Sequence, residues 1–213
     1  MTKTIFKKSI EELSKAAVDI IVDAIAKLLQ EKEQVILAIP GGRSVVGIWN
    51  LLAEEQRIDW SKVHVFMADE RVVAPTHKDS NYKLAHDIFL SKVSIPKENL
   101  HPFFPGKEYK FENPDIIILS SGEDGHVGAL YPNHHSVKNE SEGYIEMDDS
   151  PKPPLHRITM SKKTMLTAKT ALLLFVGEGK REAYEKFKSG DEIVECPARL
   201  VKKIKDSYVL TDL

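Results

Sequence analysis

Apolar and polar positions fall in blocks along this chain, and the period changes from block to block. Thr4-Ile5-Phe6 is a short strand candidate, and Ser9 with Glu12 three residues on gives the capping-box signature of a helix start. Beyond it Leu13, Ala16, Ala17, Ile20, Ile21, Ala24 and Leu28 recur at three- and four-residue steps. Glu11, Lys15, Asp19, Asp23 and Lys27 lie mostly off that stripe, so an amphipathic helix is predicted with these apolar residues on its buried face. Continuous apolar runs at 34–39, 63–67, 115–119 and 170–176 then predict strands buried on both faces. Helical spacing returns over 45–53, 81–90 and 181–188, with shorter helices at 161–168 and from Pro197, and further strands at 157–160 and 207–210. Residues 68–80 are expected to form a loop, and Pro96, Pro102, Pro105 and Pro114 mark an irregular connection. The stretch 138–154, rich in charge, serine and proline, is expected to be surface loop around a short strand at 144–147.

Strands alternating with helices, the central strands apolar throughout, predict an α/β fold: a single domain over 1–213 built on a mostly parallel, Rossmann-like sheet with helices on both faces. Ligands of such sheets bind beyond the carboxyl ends of the strands. The polar clusters at 40–44, 69–71, 122–126 and 177–180 each follow a predicted strand directly. All four therefore share one rim, where loop polarity scattered at random would fall on both edges.

Composition narrows what that rim serves. With 30 basic and 32 acidic side chains the formal net charge is -2, which leaves no footprint for nucleic acid, so any anion site is local. The one cysteine, Cys196, excludes an intramolecular disulfide and fits a reducing compartment. No leading signal pattern and no apolar run of bilayer length is present, and the expectation is a cytoplasmic protein that engages no membrane.

Gly41-Gly42-Arg43-Ser44 opens a helix with unblocked amides, a guanidinium and a hydroxyl, a combination that favours phosphate. It lacks the spacing of a P-loop and the third glycine of a dinucleotide fingerprint, and Gly177-Glu178-Gly179-Lys180 falls short of both as well. Lys180 strengthens the phosphate reading, because an ammonium at a helix start is otherwise unfavourable. Asp69-Glu70-Arg71 reads either as an ion-paired structural cluster or as acids for substrate hydroxyls beside an arginine for an anion. Gly122-Glu123-Asp124-Gly125-His126 places ionisable groups where the backbone turns sharply behind a strand. Two other chemistries are weaker. Ser44 sits in an imperfect nucleophile elbow, its second glycine one residue too far, and would need His126 with Asp124 or Asp69 as a triad. His126, His134, His135 and Asp124 lack the spacing usual for zinc, and no metal site is expected.

Taken together, Pro40-Gly41-Gly42-Arg43-Ser44, Ala68-Asp69-Glu70-Arg71 with Ser80-Asn81-Tyr82, Gly122-Glu123-Asp124-Gly125-His126 with Leu130-Tyr131-Pro132, Arg157-Ile158-Thr159 and Gly177-Glu178-Gly179-Lys180 resemble the ordered motifs of the glucosamine-6-phosphate isomerase/6-phosphogluconolactonase family. The resemblance runs from about residue 5 to residue 201, and the Asp-Glu-Arg, Ser-Asn and Leu-Tyr-Pro elements resemble the lactonase branch more than the deaminase branch. Gly128, Ser120-Ser121 and a short connection after Phe103 depart from the family pattern.

The resemblance implies a sugar-phosphate hydrolase that converts 6-phospho-D-glucono-1,5-lactone to 6-phospho-D-gluconate in the oxidative pentose phosphate pathway without metal or organic cofactor. The expected partner is a small-molecule phosphorylated sugar lactone, with no nucleic acid or membrane, and the expected assembly is a monomer or small homo-oligomer. His126 would be the general base, Asp124 its orienting carboxylate, and Arg71 or Arg157 an oxyanion or phosphate partner. Gly41, Gly42, Arg43, Ser44, Lys180 and Arg157 would hold the phosphate, and Asp69, Asn81 and Gly125 the remainder of the sugar. The competing readings are a glucosamine-6-phosphate deaminase or isomerase, which needs a second base, and a non-catalytic sugar-phosphate sensor, which tolerates loss of His126.

Overall fold

A computed structural model describes residues 2–213. Seven strands form the main sheet: β1 (Lys3–Phe6), β2 (Val35–Ile39), β3 (Val63–Met67), β5 (Leu100–His101), β6 (Ile116–Ser120), β9 (Thr170–Phe175) and β10 (Asp206–Thr211). Every pairing is parallel, in the order β1-β10-β9-β6-β2-β3-β5. The remaining strands, β4 (Asp69–Arg71), β7 (Tyr144–Met147) and β8 (Arg157–Met160), make a small antiparallel sheet in the order β4-β8-β7.

The main sheet sorts its side chains by the period of two that a strand imposes. Leu37, Ile39, Ile116, Ile118, Leu172 and Leu174 enter the core under α1 (Ile10–Leu28), α2 (Val46–Leu52) and α3 (Asn81–Ala85). Ile36, Ala38, Ile117, Leu119, Leu173 and Phe175 enter a second core that includes Ala183, Tyr184 and Phe187 of α6 (Arg181–Lys188) and the 3₁₀ turns of Pro197–Lys203. Both faces are covered, which is why these strands carry no polar alternation.

Ser9 caps α1, its Oγ accepting the Glu12 amide at 3.1 Å. The buried face of that helix is rotated from the predicted stripe: Val18, Val22 and Ile25 are central, while Ala16, Ile20 and Ala24 are only partly buried. Gly47 of α2 packs against this face: a Cβ there would lie 2.4 Å from Ser14 Oγ, so its absence leaves room for the buried Ser14.

Local pattern fails where pairing is non-local. Residues 69–71, expected in a loop, form β4, because Asp69, Glu70 and Arg71 find Thr159, Ile158 and Arg157 as antiparallel partners. The irregular connection contains β5, a two-residue strand held only at its pairing with Val65 and Phe66. The single turn α4 (His135–Lys138) precedes β7, and the helix expected at 161–168 is likewise a single turn, α5 (Lys162–Met165). Among the described residues no helix is long and apolar enough to cross a membrane.

Candidate active site

The loops after β2, β6 and β9, together with Asp69 just beyond β3, converge on a cavity of about 810 Å³. All four polar clusters contribute to its wall, so the rim expected from the strand order is present.

His126 is placed by the turn that follows β6. Gly122 N–H donates to His126 O at 2.8 Å and Gly125, at φ 91°, closes the turn. The imidazole lies so close over Gly122 that a Cβ there would be 2.1 Å from ring atoms. Asp124 Oδ1 faces His126 Nδ1 at 2.6 Å and also accepts the His126 amide at 3.1 Å. Since a carboxylate only accepts, Nδ1 carries the proton and Nε2 is the basic nitrogen of the neutral ring. Burial works against the charge of Asp124, but the His126 hydrogen bond and charge, with Lys152 Nζ at 3.8 Å, outweigh it and hold the carboxyl well below its ordinary range. The Tyr131 ring packs on the imidazole with centroids 4.8 Å apart.

Cations gather in the same cavity. Arg43 follows Gly42, which sits at φ 96°, in a 3₁₀ turn leading into α2; Ser44 lies beside it. Lys180 has its pKa lowered by burial and by repulsion from Lys152 and Arg43, against the pull of Glu123 and Asp124. Lysines and an arginine pressed together at partial burial describe a place that an anion would relax. The Arg157 guanidinium is pinned by the Pro154 and Pro153 carbonyls at 2.9 and 3.0 Å and lies 3.8 Å from Asp69. Arg71 donates to the Asp79 carbonyl, and among the described residues its buried Nε has no hydrogen-bond partner.

Asp69, Asn81 and Gly41 interlock. Asn81 Nδ2 donates to the Asp69 carbonyl at 3.0 Å and approaches its carboxylate at 3.3 Å, and a Cβ on Gly41 would fall 1.9 Å from Asn81 Oδ1. Glu70 turns away from the cavity. Its carboxylate accepts from the Arg71, Asn81 and Tyr82 amides and Ser80 Oγ, anchoring the start of α3. Burial raises its pKa against those donors. Glu70 is thus the structural acid of the Asp-Glu-Arg cluster, and Asp69 is the acid that lines the cavity.

The sequence matches the family described as glucosamine-6-phosphate isomerases/6-phosphogluconolactonase over residues 8–210. The chain belongs to this family. It is 34% identical over 196 residues to 6-phosphogluconolactonase of Borreliella burgdorferi, covering 83% of each protein. It is 33% identical over 227 residues to probable 6-phosphogluconolactonase 1 of Arabidopsis thaliana, covering 91% of this chain and 84% of that protein. Among solved structures, 6-phosphogluconolactonase of Thermotoga maritima superposes with a TM-score of 0.87 at 22% identity, covering 99% of both chains. A monomeric glucosamine-6-phosphate deaminase does so at 0.80 and 21% identity, covering 99% of this chain and 97% of that one. At such identities the structural likeness speaks to the fold, which both branches of the family share.

Within that family fold, the cavity wall includes His126, Arg71, Gly41, Gly42, Arg43, Ser44, Lys180, Arg157, Asp69 and Asn81 of the residues singled out from sequence. Asp124 stands behind His126 rather than in the wall. Gly125, expected to contact substrate, does not reach the cavity: it packs on Cys196, and its carbonyl accepts the Ala198 amide at 3.0 Å. Tyr131 and Lys152 also line the wall and were not anticipated. The lysine sits among prolines in Ser150-Pro151-Lys152-Pro153-Pro154, and a cation in so stiff a loop was the available signal. His126 and Asp124 do not join His134 and His135 in a metal-like group; Asp149 does. There, His134 Nδ1 accepts the Ser136 amide at 3.2 Å, so the ring carries its proton on Nε2, which faces Asp149 at 3.5 Å.

Proposed function

We propose that this chain hydrolyses 6-phospho-D-glucono-1,5-lactone to 6-phospho-D-gluconate, the lactonase step of the oxidative pentose phosphate pathway. The observation that carries the reading is the pairing of a carboxylate-backed imidazole that lines the cavity with clustered cations in the same cavity.

On this reading the phosphate rests on the Gly41–Ser44 turn, Lys180, Lys152 and Arg157, which places the lactone carbonyl near His126. Nε2 takes a proton from water as its oxygen bonds to the carbonyl carbon, and Asp124 supports the imidazolium that forms. Arg71, which lines the cavity, stabilises the oxyanion of the tetrahedral intermediate. When that intermediate collapses, the bond from carbon to ring oxygen breaks and the Nε2 proton passes to the departing oxygen. Phosphate contacts made far from the carbonyl lower the barrier by holding the ester in line with base and water. Asp69, held by Asn81 and 3.8 Å from Arg157, is suited to accept from sugar hydroxyls. A single domain acting in the cytoplasm on a free small molecule, as a monomer or small homo-oligomer, completes the proposal.

The test is a coupled assay. Lactone is generated in place, and NADP-dependent oxidation of the product is followed against spontaneous hydrolysis. Acceleration by the purified protein, no turnover of glucosamine 6-phosphate and no fluorophosphonate adduct on Ser44 are expected. Deaminase turnover alone would assign the chain to the other branch, and a labelled Ser44 would assign the nucleophile to serine.

A further inference from the structure

Tyr131 is 2% exposed and Ser150 1% exposed, and their hydroxyls meet at 2.8 Å. The direction of that bond is fixed by counting protons. Ser150 Oγ lies 2.9 Å from the Lys152 carbonyl, which only accepts, so the single serine proton goes there. Burial pushes the Tyr131 phenol upward, so it keeps its proton and donates it to Ser150 Oγ. The outcome is a directed chain from Tyr131 O–H to Ser150 Oγ–H to the Lys152 carbonyl.

The loop at the end of this chain carries the cations. Ser150 N–H donates to the Leu155 carbonyl at 3.1 Å, closing 150–155 on itself. Inside that closure lie Lys152, 3.8 Å from Asp124, and the Pro153 and Pro154 carbonyls that hold the Arg157 guanidinium. At its other end the Tyr131 ring lies 4.8 Å from that of His126, tilted by 46°. One side chain thus touches the proposed base with its face and grips the cation loop with its hydroxyl.

Resting on the lactonase reading, we propose that Tyr131 is a positioning residue: it locks the loop bearing Lys152 and the Arg157 clamp in register with His126, so that a bound phosphate and the reacting carbonyl share one frame. The hydroxyl serves the phosphate end and the ring serves the base, and the two contributions are separable by substitution.

The experiment compares wild type, Tyr131→Phe, Ser150→Ala and the double variant in kcat and KM for the phosphorylated lactone and for unphosphorylated glucono-1,5-lactone, and in Kd for inorganic phosphate. Tyr131→Phe keeps the ring and releases the loop. KM for the phosphorylated lactone and the phosphate Kd are expected to rise roughly 3- to 10-fold, the worth of one hydrogen bond, with a smaller change in kcat and a smaller loss on the unphosphorylated lactone. Ser150→Ala strands a buried phenol and also loses the bond to the Lys152 carbonyl, so it is expected to do more harm; adding Tyr131→Phe removes the stranded group, leaving the double variant no worse than Ser150→Ala. Unchanged KM and phosphate Kd in Tyr131→Phe, equal losses on both lactones, or effects that multiply in the double variant would each overturn the tether. A wild type inactive on the phosphorylated lactone would overturn the lactonase reading instead, and the phosphate Kd series would then decide the tether by itself.

Discussion

Two partly buried imidazole contacts, one at the cavity and one at the edge of the main sheet, behave differently. At the cavity, His126 Nδ1 meets Asp124 at 2.6 Å. At the sheet edge, His64 Nδ1 of β3 meets His101 Nε2 of β5 at 3.0 Å, with the His101 ring stacked on Phe66 at 4.0 Å between centroids. A carboxylate favours the imidazolium and leaves the other nitrogen free for chemistry. A second imidazole shares one proton and resists a second, so burial and then His64 push the His101 pKa below its usual value. The partner and the void in front of the ring, rather than histidine itself, separate a base from a strut.

The comparison breaks most sharply at His126. Its replacement by alanine is expected to lower kcat for the phosphorylated lactone by about 10²- to 10⁴-fold, the usual worth of a general base, whereas His101→Gln should leave kcat alone; steady-state assays of both variants decide. Next comes Asp124→Asn, for which a loss in kcat of roughly 10- to 100-fold is expected, below that of the base it serves. The same variant has a pH signature. Because the folded-state pKa of Asp124 is depressed, the stability its charge contributes is in full above the unfolded value of about 4 and is lost as pH falls through the folded one. The gap in melting temperature between wild type and Asp124→Asn should therefore narrow below about pH 4.

Smaller in effect, Gly41→Ala drives a Cβ into Asn81 and is expected to cost about 1–3 kcal/mol by chemical denaturation while raising KM. The weakest expected effect returns to the edge pair. Depression of the His101 pKa means the unfolded chain binds the proton more readily. Stability is then complete above the unfolded value of about 6.5 and declines as pH falls toward the folded one. Melting temperature should drop between pH 7.5 and 5.5 by more in wild type than in His101→Gln, and equal drops would remove His101 from the account.

How much of this was legible in the chain depended on whether the controlling contacts were local. β2, β6 and β9 announced themselves because burial on both faces removes polar alternation, and the rim loops did so because glycines and charges follow those strands at once. The Asp124–His126 contact, two residues apart, lies within reach of a single turn. Hidden were the consequences of distant partners. β4 looked like loop because Thr159 pairs with Asp69 from far along the chain. The fate of Glu70 depended on donors at Ser80, Asn81 and Tyr82. Ser14 on α1 was buried against Gly47 of α2, and Gly125 faced Cys196 instead of the cavity. Lys152 joined the site only through how its proline-rich loop folds back, which no periodicity encodes.

The most direct measurement of the central claim is chemical rescue. His126→Ala is assayed on freshly generated 6-phosphogluconolactone with increasing free imidazole, each rate corrected for the enzyme-free rate at the same imidazole concentration. The expected result is a crippled variant whose corrected rate climbs with the neutral imidazole present. A variant as fast as wild type, or a crippled one that imidazole leaves unmoved, would contradict the assignment of His126 as the base.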